Sequence, residues 1–197
     1  MFGLQIRYLS FFFGLISVLS FFNIIYSFYL NLYLNLDTYY LSLIISLILS
    51  ILFYKLQSSD VKANIYNKIL TIFLGYIFIP LILSIPFYFS IYNITFFNSY
   101  FESISGFTST GFTIFENIKQ IDQSLILWRS STQWIGGLYF LFSIIFLIDI
   151  YDENLKKSLT NFLSFNTTEV LKQTIKIFIL YSSLTLVIFI ILNLFGI

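Results

Sequence analysis

Five apolar runs, each long enough to cross a bilayer and each bounded by charge, dictate what this 197-residue chain can become: about 9–34, 39–56, 69–89, 125–148 and 175–195. A hydrocarbon core about 30 Å thick takes roughly 20 helical residues. Inside lipid a segment must satisfy its own backbone polar groups, which for runs of this length and kind means a helix. The chain therefore reads as an all-α polytopic membrane protein. Composition agrees: 58% of residues are hydrophobic and only 10% are charged, against about a quarter charged in soluble domains. The first run is too long for the apolar core of a secretory leader and has no A-x-A-like site behind it, so it reads as a retained span. Runs one and two, joined by a short segment holding Asp37, form a helical hairpin. Pro80 and Pro86 in the later half of run three predict a kink.

The inventory of side chains excludes most membrane chemistry. There is no Cys and no His, which removes disulfides, thiolate metal sites and imidazole acid–base catalysis. No run carries paired acids, so the chain is not expected to be an enzyme, to hold a cofactor or to bind a transition metal. Asp149, Asp152 and Glu153 are followed by Lys156 and Lys157, which reads as a solvated helix end. A net charge of +1, with Lys and Arg scattered between the runs, leaves no basic face for nucleic acid; membrane lipid is the expected surrounding. Arg7, then Lys55, Lys62 and Lys68, then Lys156, Lys157, Lys172 and Lys176 all fall on one side of the alternating spans. Positive charge favours the cytoplasm, so the N-terminus is expected inside and segment 90–124 outside.

That segment is too long for a turn and too apolar for a solvated loop. It contains FESISGFTSTGFTIF at positions 101–115. Thr95 or Asn98 could cap a short helix of about 96–106, and Gly106 is the kind of residue that stops one. Residues 108–113 then form a hydroxyl-rich, extended stretch in which Gly111 is free to adopt positive φ. Irregular backbone at membrane depth persists only where protein or a watery cavity surrounds it. A short helix directing its C-terminus inward favours a cation ahead of it, and carbonyls of the extended stretch could replace an ion's hydration shell. Span, short helix, Gly-containing stretch and span make a pore-loop unit. The competing reading is an interfacial amphipathic helix followed by a flexible surface loop.

FESISGFTSTGFT followed by LWRSSTQWIGG (127–137) resembles, in order and spacing, the bacterial TrkH potassium-uptake subunits within the wider TrkH, KtrB and HKT superfamily. The resemblance implies four pore-loop repeats around a central pathway, preceded by an extra helical hairpin. On that plan residues 1–68 are the hairpin and a cytoplasmic linker, 69–148 the complete first repeat, and 149–197 a linker and the first helix of a second repeat. The chain is then expected to be part of a longer transporter. The resemblance places Gly111 at the filter glycine and implies that the carbonyls of Ser109, Thr110, Gly111 and Phe112, with Thr108 beside them, supply one quarter of a K⁺-coordinating ring. It further implies a homodimer, a cytosolic nucleotide-binding regulator of the TrkA type, and residence in a bacterial inner membrane. Where the family commonly continues with small residues after WIGG, Leu138 and Tyr139 stand here.

Three more residues bear on this reading. Glu102 sits in the short helix, where a carboxylate could bond the filter's amides or lend it negative potential; the alternative is an interfacial acid facing water. Arg129 lies early in run four, where it either snorkels outward or, as the resemblance implies, braces the pore loop. Gly136 and Gly137 read as sites of close helix packing. Two other functions remain open from sequence: a homotetrameric channel with one pore loop per subunit, and a membrane scaffold that transports nothing.

Overall fold

The computed structural model describes residues 6–56, 65–151 and 170–195. Lys62, Asp152, Glu153, Lys156 and Lys157, on which the expected linkers rested, lie outside the described residues. Among those described there is no strand. The helices are α1 (Ile6–Tyr29), α2 (Leu36–Leu56), α3 (Ile65–Leu83), α4 (Ile85–Tyr88), α5 (Phe96–Phe107), α6 (Gln123–Tyr151) and α7 (Val170–Leu194). Among the described residues four stretches are long and apolar enough to cross a membrane: Tyr8–Tyr29, Leu36–Leu56, Tyr66–Tyr88, which joins α3 to α4, and Ile175–Leu194. The protein is thus an all-α, multi-pass membrane protein.

The expected fourth span corresponds to α6, a helix of 29 residues. Over its described side chains it is not apolar enough to be counted with the other four. The reason is the run Arg129-Ser-Ser-Thr-Gln133 in its first half, part of which faces protein: Thr132 is fully buried.

The chain divides into two compact units, Met1–Tyr139 and Phe140–Ile197. In the first, α1 ends at Tyr29, short of the expected residue 34, because Asn31 takes the left-handed conformation at φ 57°. Leu32 N–H then donates to Ser27 O at 2.8 Å and Asn31 N–H to Phe28 O at 3.3 Å, the paired bonds of a Schellman stop. Small hydroxyl residues recur every four positions on α2 as Ser42, Ser46 and Ser50, and α1 meets that stripe. Ser10 and Ser50 each donate to the other's carbonyl, at 2.8 and 2.9 Å, while Ser20 Oγ reaches Ser42 Oγ at 3.2 Å. Such residues let membrane helices approach closely and bond without a polar price in lipid. The opposite side of α2, with Ile44, Ile48 and Ile51, is exposed.

The kink expected in run three is a break at Ser84, between α3 and α4. Pro86 lacks the N–H that would continue the α3 ladder. Below the break the core is aromatic. Tyr139 stands edge-on to Phe12 and Tyr76 and tilts against Phe107. Its hydroxyl donates to Ile72 O at 2.9 Å and occupies the space that a side chain on Gly75 would fill. A large residue after the WIGG motif is therefore accommodated by a glycine on α3. The second unit contains the remainder of α6 and α7, whose outer surface carries exposed apolar residues such as Leu180, Val187 and Phe189.

Candidate functional site

The site is assembled from α5, the loop that leaves it, and the first turns of α6. α5 starts because Thr95, extended at φ −63° and ψ 154°, accepts from Asn98 N–H through its side chain. Its strongly amphipathic sequence then buries Ser99, Glu102, Ser103, Ser105 and Gly106 on one face. At its C-terminus Thr110 N–H donates to Ser105 O and Ser109 N–H to Gly106 O, both at 3.0 Å. This is again a Schellman stop, with Ser109 at φ 58° in the left-handed position. Gly106 does not end the helix as the sequence suggested. It lies inside α5, where a Cβ would collide with Thr132 Oγ1 of α6. Gly136 serves the crossing from the other side, since a Cβ there would overlap the Phe107 carbonyl.

The stretch after α5 is not simply extended. Ser109 and Gly111 have φ of 58° and 82°, with negative φ at Thr110 between them. A strand turns successive peptide groups to opposite sides, whereas alternation of φ sign turns neighbouring peptide groups the same way. Residues 108–112 are exposed, and a Cβ on Gly111 would meet nothing within 4 Å. The Thr108 and Thr110 hydroxyls bond each other at 2.7 Å. Among the described residues no hydrogen bond is made to the carbonyls of Thr108, Ser109 or Thr110. Phe112, also expected to line the ion path, has a carbonyl that accepts within the protein, from Ser105 Oγ at 2.6 Å and Arg129 Nη2 at 3.3 Å. Gly111 O has only a long contact to Arg129 Nη2, 3.5 Å.

Behind the loop sits a fully buried carboxylate. Glu102 Oε1 pairs with Arg129 Nε at 2.5 Å, both carboxylate oxygens accept from Thr113 Oγ1 at 3.1 Å, and Oε2 accepts from Ile114 N–H at 3.0 Å. Arg129, on α6, thus connects α5 to the loop's carbonyls while Glu102 holds the loop's return. A buried carboxylate needs such partners, because desolvation alone would cost several kcal/mol. The pairing also cancels the guanidinium's charge next to the exposed carbonyls. Among the described residues no group of acidic side chains could hold a metal ion.

Several contributors were not singled out from sequence: Ser105, Thr113 and Thr132, and a polar network at the start of α6. In that network Asn35, buried between α1 and α2, donates to Asp122 Oδ2 at 3.0 Å and accepts from Ile91 N–H at 3.1 Å. Ser105, Thr113 and Thr132, unlike the serine stripe of α2, follow no period that marks them in the sequence. Their roles depend on which helix crosses which.

Comparison with known proteins places these residues in context. The profile of the family described as TrkH, cation transport protein, matches residues 38–196. An uncharacterized cation transporter of Methanocaldococcus jannaschii is 27% identical over 127 residues, 64% of this chain and 27% of that protein. The Trk system potassium uptake protein TrkI of Halomonas elongata is 38% identical over 60 residues, 30% of this chain and 11% of that protein. TrkG of Escherichia coli, also a Trk system potassium uptake protein, is 28% identical over 86 residues, 43% and 18% respectively. The chain thus aligns with about a quarter or less of each of these relatives. No solved structure matches it significantly.

Proposed function

The chain belongs to the TrkH family of cation transport proteins, and from that premise we propose that its α5–α6 loop forms one wall of a monovalent-cation pathway, with K⁺ as the transported ion. The observation that carries this reading is the loop itself. It offers the carbonyls of Thr108, Ser109 and Thr110, with that of Gly111 beside them, on an exposed surface wound by alternating φ. Glu102 and Arg129 brace it from behind. Neutral oxygens in a fixed array replace part of an ion's hydration shell, and the C-terminal end of the α5 dipole adds negative potential. Phe112 contributes through its bonds to Ser105 and Arg129, which fix the end of the array. The names of the Halomonas and Escherichia relatives, both potassium uptake proteins, support K⁺ over other cations.

One such loop encloses no pathway. We assign the other three walls to further repeats of the same gene product, with α1 and α2 as a preceding hairpin and α7 as the first helix of the next repeat. On the same reading the N-terminus is cytoplasmic, the membrane is a bacterial inner membrane, the transporter is a homodimer, and a cytosolic nucleotide-binding regulator of the TrkA type controls it. The gene product that carries this chain, expressed in a host stripped of its own K⁺ uptake, should restore growth at low external K⁺ through saturable uptake. Absence of cation uptake, with the protein present in the membrane, would refute the assignment.

A further inference from the structure

The N-terminal hairpin is tied to the α5–α6 loop by a buried polar network with no part in holding the hairpin together. Asn35 stands immediately before α2, where an Asn side chain ordinarily caps the helix it precedes. Its backbone carbonyl takes the Thr38 amide and hydroxyl, but both ends of its side-chain amide leave the hairpin. Nδ2 donates to Asp122 Oδ2, and Oδ1 accepts from Ile91 N–H. The Ile91 amide can only donate, which fixes the orientation of the Asn35 side chain. Asn35 is 1% exposed. The same Asp122 oxygen takes Ser124 Oγ–H at 2.6 Å, and Ser124 Oγ lies 2.9 Å from Tyr39 Oη on α2. The Asp122 amide donates to Tyr92 Oη at 2.8 Å. Tyr39 in turn tilts against Trp128, whose indole N–H donates to Leu83 O at 3.0 Å.

Asp122 is the residue before α6, and Arg129 lies two turns further along that helix. A helix over two turns is stiff, so fixing Asp122 fixes where Arg129 enters the loop, about 10 Å away. We propose that Asn35 and Asp122 form a latch through which the N-terminal hairpin sets the position of Arg129 and thereby the carbonyl geometry of residues 108–112. They are positioning residues, and the inference rests on the assignment of that loop to a cation pathway.

An exchange of the two side chains tests it. Asn35→Asp sets two carboxylates against each other, whereas Asn35→Asp with Asp122→Asn rebuilds an amide–carboxylate pair with its direction reversed: the carboxylate at 35 still accepts from Ile91 N–H, and the amide at 122 donates both to it and to Ser124 Oγ, whose hydroxyl then turns to Tyr39 Oη. Tyr39→Phe, which keeps the ring against Trp128 and removes only the hydroxyl, is the milder variant should Asn35→Asp fail to accumulate. The gene product carrying each change is reconstituted, and the K⁺/Na⁺ uptake ratio is measured beside that of Gly111→Val. The ratio should fall about tenfold in Asn35→Asp, the equivalent of one charge-assisted hydrogen bond. It should fall less in Tyr39→Phe and return to within about twofold of the parent in the double variant, the additivity expected of a restored pair. A loss of total flux at constant ratio, or no recovery in the double variant, overturns the latch. If Gly111→Val alters the ratio and the latch variants do not, the latch alone fails. If Gly111→Val also leaves it unchanged, the loop assignment fails and the latch with it.

Discussion

Glu102 and Arg129 are separated by 26 residues of sequence yet form one buried pair, and the behaviour of the loop turns on it. Glu102→Gln keeps the shape and an acceptor for Ile114 but strands the guanidinium. Breaking a buried pair by removing one partner costs about 3–5 kcal/mol, and the 13% exposure of Arg129 argues for the low end. The thermal midpoint in detergent should drop clearly, and cation uptake should fall further than the stability loss accounts for, because an unpaired positive charge then stands beside the proposed cation pathway. Ser109 offers the opposite sign of change. Its left-handed φ of 58° costs a side chain roughly 1 kcal/mol, so Ser109→Gly should raise the midpoint slightly and Ser109→Val should lower it. In sequence, the two charges stood out as acids and bases inside apolar surroundings. That they meet was not legible, since it depends on the crossing of α5 and α6. Gly106 misled because a glycine just ahead of a hydroxyl-rich stretch resembles a helix stop, while Ser109 adopts the left-handed position and Gly106 is small for packing.

The crossing of α5 over α6 depends on two glycines with different obstacles. At Gly106 the obstacle is a side-chain hydroxyl of Thr132, at Gly136 the backbone of Phe107. Gly106→Ala should therefore be rescued largely by Thr132→Ala. Gly136→Ala should reduce accumulation of folded protein whatever is done to its neighbours, because the α5 backbone cannot yield. Size-exclusion profiles and thermal midpoints of the three variants check this. The helices themselves were legible from the lengths of the apolar runs, because lipid leaves a backbone few alternatives. Their ends were less so. α1 stops early through a left-handed turn at Asn31, a conformation that Asn35 nearby could equally have taken, and α6 carries a polar first half that hydropathy alone undervalues. Arg129, Thr132 and Gly136 of that half face α5 and the loop, so part of its composition reflects a neighbour that no window along the sequence contains.

At the scale of the molecule, the first unit joins a hairpin to a helix–loop–helix element, and the hairpin's role was invisible in the sequence. Asn35 and Asp122 are ordinary polar residues at helix starts, and only their mutual distance of 3.0 Å gives them a joint task. Family membership, by contrast, could be read from FESISGFTSTGFT and LWRSSTQWIGG, because two dense motifs in fixed order and spacing are specific where single residues are not. The central claim is that the loop wound through Gly111 faces a permeating cation. Gly111 has φ of 82° and open space around it, so a β-branched side chain there meets no steric wall but is incompatible with the backbone conformation. The decisive measurement is the K⁺/Na⁺ uptake ratio of the reconstituted gene product with Gly111→Val, beside the parent. The account predicts that selective uptake is lost or strongly relaxed while the protein still inserts; an unchanged ratio at unchanged flux would contradict it.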